Sequence, residues 1–270
     1  MDSSSQTTLF PSREKAFINR YDQIISNPWM QAYYGHTGFY NVGFWQPSTQ
    51  TQAKASRQLV ETLLNQFPSH QGKILDVACG LGATTQHLLK TYASENITGI
   101  NLSCHQLENC RHRLPDICFL RMDAAHLSFP EASFDRMLCV EAAFHFRTRF
   151  HFFQEAQRVL KPGGWISLSD MLIDSPAHFG EWMIPSTNQG IDLKMYQAQW
   201  LQAGFQDICI VDATDCCWTS YCRHLVRALA HAFTQGQISE TYWRESEHYF
   251  EQLLSTPSVQ YLLVSAQKTA

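Results

Sequence analysis

Ile74-Leu75-Asp76-Val77-Ala78-Cys79-Gly80-Leu81-Gly82-Ala83-Thr84 is the stretch on which the reading of this chain turns. It runs from a short apolar strand through a glycine turn into helical spacing. Glycine lets backbone approach a ligand closely, and the helix start behind the turn offers unpaired N–H groups to an anion. A dinucleotide fingerprint would want a third glycine where Thr85 stands, and no acid inside its first strand. Asp76 suits a cationic group instead.

Outward from this turn, residues 56–171 alternate short apolar runs with segments of helical period, the signature of a parallel sheet with crossover helices. Strands are predicted at 73–78, 96–101, 117–122, 134–140 and 165–168. Helices are predicted at 83–92, 103–113 and 149–160, the last ended by Lys161-Pro162-Gly163-Gly164. Beyond Asp170 the alternation breaks. Residues 173–190 are rich in Pro, Gly, Ser and aromatics, and a helix at 192–203 precedes a sixth strand at 207–212, so a cap is expected before strand six. A long helical stretch at 220–254 leads to a seventh strand at 259–265 that no helix follows, so it is expected to pair antiparallel at the sheet's edge. The expected organisation is an N-terminal lid segment (1–55), a ligand-binding core (56–171), a cap insert (172–203) and a C-terminal part of the same domain (204–270). The N-terminal aromatics Tyr21, Trp29, Tyr33, Tyr34, Phe39, Tyr40, Phe44 and Trp45 form either a lid or substrate wall, or ordinary surface packing.

With 270 residues, 44% hydrophobic, 16% charged and a net charge of −4, the chain has the composition of a globular protein, not a disordered tail. It shows no apolar run of membrane-spanning length and no secretory leader, so a cytoplasmic location is expected. Lys and Arg total 20 against 24 Asp and Glu, which offers no basic face to a nucleic acid. Asn27-Pro28-Trp29 lacks the second proline of a base-methylating box. The nine cysteines are odd in number and scattered, and are read as reduced thiols. The twelve histidines show no H-x-x-x-H or H-E-x-x-H spacing, so no metal is expected. The expected partner is a small molecule, and the expected state is a monomer or homodimer.

On Asp76, Gly80 and Gly82 the chain resembles the class I S-adenosylmethionine (SAM) dependent methyltransferases, whose first motif is an acid followed by a G-x-G turn. The resemblance implies a Rossmann-like α/β fold of seven strands with helices on both faces, and SAM as cofactor. Asp76, Ala78 and the Gly80–Gly82 turn would face the methionyl end. Asn101 stands where most members carry an acid for the ribose diol. Asn101-Leu102-Ser103-Cys104-His105-Gln106 is similar to an N/T-L-S-x-x-Q variant in which Gln106 also serves the ribose. Asp123-Ala124 matches the pair that meets the adenine; by itself Asp123 also reads as a turn or cap residue. Glu141-x-x-x-His145 with Arg147-Thr148-Arg149, Phe39-Tyr40-Asn41-Val42-Gly43-Phe44-Trp45 and Thr51-Gln52 resembles the microbial tailoring O-methyltransferases of macrolides, ansamycins, glycosides and peptides. These share motifs with sarcosine and tocopherol methyltransferases. Glu141 is placed with the cofactor set by this likeness.

His145 after strand four and Asp170 after strand five are expected to converge beside the reactive methyl, because ligands sit outside the carboxyl ends of neighbouring parallel strands. A neutral imidazole as general base and a carboxylate orienting it would suit removal of a hydroxyl proton. The alternative is a loop histidine and a strand-end acid. Trp45, Phe179, Trp182, Met183 and Tyr196 are candidate acceptor-pocket residues, each with a packing reading beside it. The expected activity is O-methylation of a small natural product; N- or C-methylation is the alternative.

Overall fold

The computed structural model describes residues 9–174, 183–255 and 259–269. Ile74, Leu75, Asp76 and Val77 form β1 (Ile74–Val77), buried at all four positions. A strand covered on both faces reads as a near-continuous apolar run, and here Asp76 is the one polar side chain that interrupts it. Around it lie β2 (Ile97–Asn101), β3 (Cys118–Arg121), β4 (Phe134–Val140), β5 (Leu160–Ile173), β6 (Phe205–Asp212) and β7 (Val259–Lys268), in the order β3-β2-β1-β4-β5-β7-β6. The first five are mutually parallel. The strand order reverses between β1 and β4, and ligand crevices of open α/β sheets form outside the carboxyl ends at such a point.

β7 is antiparallel, as expected, but its place is not the edge. It lies between β5 and β6 and pairs with both, so β6 takes the edge. Its burial explains this: residues 261 to 266 are buried without interruption, a pattern that needs cover on both faces and a neighbour on each side.

The helices are α1 (Leu9–Ser26), α2 (Pro28–Tyr33), α3 (Gln52–Leu64), α4 (Ala83–Leu88), α5 (Cys104–Arg113), α6 (Arg149–Val159), α7 (Leu193–Gln202), α8 (Ser220–Thr234) and α9 (Glu240–Ser255). Side-chain caps start several of them: Asn27, Thr51, Ser103, Thr148 and Asp192 each accept a backbone N–H of the first turn. The single helical stretch read over 220–254 is two helices, because Gly236 takes a φ of 67° and turns the chain after α8. One core packs α3, α4, α5, α8 and α9 on one face of the sheet; a second packs α6 and α7, through Phe152, Phe153, Tyr196 and Trp200, on the other.

The segment from Phe39 to Trp45 lies on α3. Phe44 N–H donates to Ala55 O at 2.9 Å, and Gly43, at φ 83°, comes so near that a Cβ there would stand 2.7 Å from the Ala55 carbonyl carbon. Only glycine fits this crossing.

Candidate active site

The carboxyl ends of β1, β2 and β4, the turn after β3, and α1, α2, α8 and α9 enclose a cavity of about 880 Å³. Ligand pockets run from about 300 to 1,000 Å³, so this one is at the large end. Asp76, Ala78, Gly80, Asn101, Leu102, Gln106, Asp123, Ala124, Glu141, His145 and Met183 all line it. Ala78 and Glu141, each the residue after a cavity-facing strand, hold left-handed φ values of 57° and 51°. Such conformations cost a non-glycine residue about 1–3 kcal/mol and concentrate where a chain is bent to serve a ligand.

Asp76 is almost wholly buried, and Thr85 Oγ1 donates to its Oδ2 at 2.6 Å. Burial pushes its carboxyl up to about 7, against the pull of that bond. A carboxylate so desolvated is paired well by an ammonium. Gly80, at φ 56°, would place a Cβ with nothing within 4 Å, so its conformation and not crowding demands glycine, and the backbone lies open to the cavity. Gly82 does not line the cavity; at φ 80° it is the residue before α4. At the end of β2, Asn101 Nδ2 donates to Gln106 Oε1 at 2.9 Å. Asp123 Oδ1 accepts the Ala125 N–H at 2.9 Å, and its Oδ2 lies 3.6 Å from His126 Nδ1.

Glu141 is held by Val42 N–H at 2.8 Å and Tyr261 O–H at 2.6 Å, while burial pushes it up to about 7. His145 is equally enclosed. Its Nδ1 lies 2.8 Å from Met183 O, a group that can only accept, so Nδ1 carries the proton. Burial lowers the imidazole to about 4, which leaves Nε2 bare and able to accept the Tyr21 O–H at 2.5 Å.

The expected His145–Asp170 pair does not form. β5 continues past Asp170 to Ile173, and Asp170 pairs with Leu262 of β7 inside the sheet. Side chains alternate along a strand, so Asp170 shares a face with Leu168 and Leu172, in the core of α6 and α7, while Met171 takes the cavity face. There Asp170 Oδ2 pairs with Arg149 Nε at 2.8 Å and accepts Tyr196 O–H at 3.0 Å. The partner that orients His145 is the Met183 carbonyl. Asp170 reaches that loop through Arg149, whose N–H donates to Asn188 Oδ1 at 3.0 Å; Asn188 Nδ2 in turn donates to Phe144 O and Phe146 O, on either side of His145.

Two acceptor-pocket residues are likewise elsewhere. Tyr196 is fully buried between Phe153, Trp200 and Asp170 on the far face. The Trp45 ring lies 4.3 Å from that of His224, with its N–H on Val42 O, and neither Trp45 nor Tyr196 lines the cavity. Phe179 and Trp182 lie outside the described residues. Instead, Trp218, Tyr221, Leu225 and Leu229 present one stripe into the cavity from α8 and the turn before it, with Tyr249 and Phe250 from α9. Their near-helical spacing is the signal that marks them in the sequence. Tyr21 appears there only as one aromatic among eight.

Among the described residues no group of three or more His, Cys, Asp or Glu is clustered to hold a metal, and no helix is long and apolar enough to cross a membrane.

The sequence pattern of the family described as "Methyltransferase domain" matches residues 75–168. The chain is 31% identical over 194 residues to the "O-methyltransferase cnsE" of Penicillium expansum, covering 66% of this chain and 68% of that one. It is 28% identical over 247 residues to the "27-O-demethylrifamycin SV methyltransferase" of Amycolatopsis mediterranei, covering 84% and 88%. Among solved structures, the cyclopropane synthase MmaA2 from Mycobacterium tuberculosis superimposes with a TM-score of 0.77 at 18% identity, over 94% of this chain and 98% of that one. The chain belongs to the class I SAM-dependent methyltransferases. Its cofactor is SAM, and the residues present fit it: a desolvated carboxyl for an ammonium, an open glycine backbone beside it, and amide groups at the end of β2.

Proposed function

We propose that this enzyme methylates a hydroxyl group of a small, largely apolar natural product, with His145 as general base. The observation that carries the reading is the state of His145. Met183 O accepts a hydrogen bond from its Nδ1–H, burial keeps the ring neutral, and Nε2 already accepts a hydroxyl, that of Tyr21. A hydroxyl acceptor needs this service, because an alcohol must lose its proton as it attacks. The names of the relatives from Penicillium expansum and Amycolatopsis mediterranei support oxygen as the acceptor atom. The aromatic walls from α2, α8 and α9 support an apolar acceptor.

When bound, SAM supplies a methyl group already activated by its sulfonium. Asp76 and the backbone around Gly80 hold the methionyl end, Asn101 and Gln106 the ribose, and Asp123 with Ala124 the adenine. The acceptor hydroxyl gives its proton to the Tyr21 oxygen while Tyr21 passes its own to Nε2. The imidazolium keeps its other N–H on Met183 O. Burial holds Tyr21 well above the ordinary phenol range, so the hydroxyl relays a proton without ionising. α1 and α2 act as the lid, and Met183 and Pro185, from the loop before α7, add to the wall of the acceptor site.

His145→Ala is expected to keep SAM binding near normal, measured by titration calorimetry, while turnover falls about 10²-fold or more, the range for loss of a general base. Hydroxylated and amine natural products serve as acceptors in the turnover assay. Turnover confined to amines, or unchanged in His145→Ala, overturns the reading.

A further inference from the structure

Two phenols, Tyr34 and Tyr221, line the cavity where α2, α8 and α9 wall it, and both are buried, at 3% and 8% exposure. Tyr34 follows α2 and Tyr221 stands in the first turn of α8, so two distant segments bring them together. The Tyr34 O–H donates to the Tyr221 oxygen at 3.3 Å. Two phenols carry two hydrogens, and one bond between them uses one. The Tyr221 hydrogen is left, and among the described residues the structure gives neither hydroxyl another partner. A buried donor without an acceptor is rarer and costlier than an unused lone pair. The rings fix where this hydrogen sits: Tyr33 packs edge-on against both, at 5.3 and 6.5 Å, and Phe250 edge-on against Tyr221 at 6.5 Å. The pair is also near the reacting corner, because Glu141 acts electrostatically on Tyr21, Tyr34 and Tyr221 alike, and Tyr221 on Tyr21. Burial holds both phenols well above their ordinary range, so they stay neutral donors.

We infer that Tyr221, backed by Tyr34, is a specificity-determining donor to a carbonyl oxygen of the acceptor, so that the substrates are alcohols carrying a ketone or lactone carbonyl near the methylated hydroxyl. A carbonyl oxygen accepts and brings no hydrogen of its own. A second hydroxyl in its place would bring a further donor into a wall built from Trp29, Met30, Leu225, Leu229 and Phe250. Donation from Tyr34 polarises the Tyr221 O–H, as each bond in a chain strengthens the next. One directed polar contact in an apolar pocket fixes how the acceptor lies, and with it the approach of its hydroxyl to Tyr21. This role rests on the apolar acceptor site of the proposed hydroxyl methylation.

The test is titration calorimetry on the full chain saturated with S-adenosylhomocysteine. The probes are three matched pairs of alcohols that differ by one carbonyl: hydroxytetralones against hydroxytetralins, hydroxyflavanones against hydroxyflavans, and hydroxysteroid ketones against their deoxo forms. In the wild type the ketone is expected to bind about tenfold tighter in at least one pair, the worth of a donor satisfied against one left buried. Tyr221→Phe is expected to bring that ratio below about threefold, with the loss confined to the ketone, and Tyr34→Phe to leave a ratio between the two. S-adenosylhomocysteine is expected to bind all three proteins alike. Equal losses on both members of a pair would make Tyr221 a packing residue, and weaker S-adenosylhomocysteine binding in Tyr221→Phe would give the donor to the cofactor. Either result overturns the assignment, as does a wild type that holds S-adenosylhomocysteine but shows no ketone preference or binds none of the six classes. A wild type that does not bind S-adenosylhomocysteine overturns the cofactor site and this role with it. The reaction itself is read apart, by adding SAM to the same alcohols: a ketone preference in binding with no methylation of the hydroxyl overturns hydroxyl transfer and leaves Tyr221 as the donor.

Discussion

Asp76 and His145 share a cavity, and burial moves them in opposite senses, the carboxyl up to about 7 and the imidazole down to about 4. Each shift disfavours the charged form. Their consequences separate on a pH axis. Asp76 must be ionised to hold an ammonium, so SAM affinity is expected to weaken below pH 7, by up to about tenfold per pH unit. His145 stays a neutral base down to about pH 5, one unit above its own value. Steady-state kinetics from pH 5 to 9 are therefore expected to show KM for SAM rising on the acid side while kcat stays nearly level. A kcat that falls with an apparent pKa between 6 and 7 would contradict a base as weak as this one. Asp170 shows how fine the residue scale is: a shift of one position along β5 would have turned its carboxylate into the cavity.

At the scale of elements, the far side of β5 is tied to the loop after β4 by one polar chain. Arg149, at the start of α6, pairs with Asp170, donates to Met171 O at 2.6 Å and reaches Asn188. Arg149 and Asp170 are both fully buried, so each depends on the other. Arg149→Ala is expected to lower the unfolding free energy in urea by about 3–5 kcal/mol, because it leaves Asp170 as an uncompensated buried charge. Arg149→Met combined with Asp170→Leu, which removes both charges, is expected to lose less than the single change. A double variant less stable than Arg149→Ala would show that the pair contributes more than mutual compensation.

The whole molecule carries these local costs as a pH-dependent stability. Asp76 has a raised carboxyl, so its favourable contribution is complete below about 3.9, the unfolded value, and is lost as pH rises through 7. Glu141 behaves alike, from about 4.3 upward. Cofactor-free protein is therefore expected to lose stability between pH 4 and 8. Bound S-adenosylhomocysteine offsets this, because its ammonium pairs with ionised Asp76. At a hundredfold excess over Kd a ligand stabilises by about 2.7 kcal/mol. Thermal melts at fixed ligand concentration are expected to shift upward more at pH 8 than at pH 5. An equal shift at both would place the ammonium away from Asp76.

The sequence by itself determined the α/β class, the run of parallel strands and, Gly82 apart, the group of residues that share the cavity from Asp76 to Asp123. Each of these is local: periodicity declares a strand or helix, and residues at the ends of successive parallel strands meet without further information. It also determined that His145 follows β4 at the mouth of the crevice. Only the tertiary structure decided the rest, because the rest depends on which faces of distant segments meet. β7 lies inside the sheet because its unbroken burial from Tyr261 to Ala266 needs neighbours on both sides. The parity of β5 sends Asp170 to Arg149 and Tyr196, and gives the orienting of His145 to a backbone carbonyl. α1 brings Tyr21 to His145 across 124 residues and Asp22 to Gln106 across 84. A hydrogen bond across such a separation has no periodicity to announce it, and it exists only once the helix has been laid over the cavity.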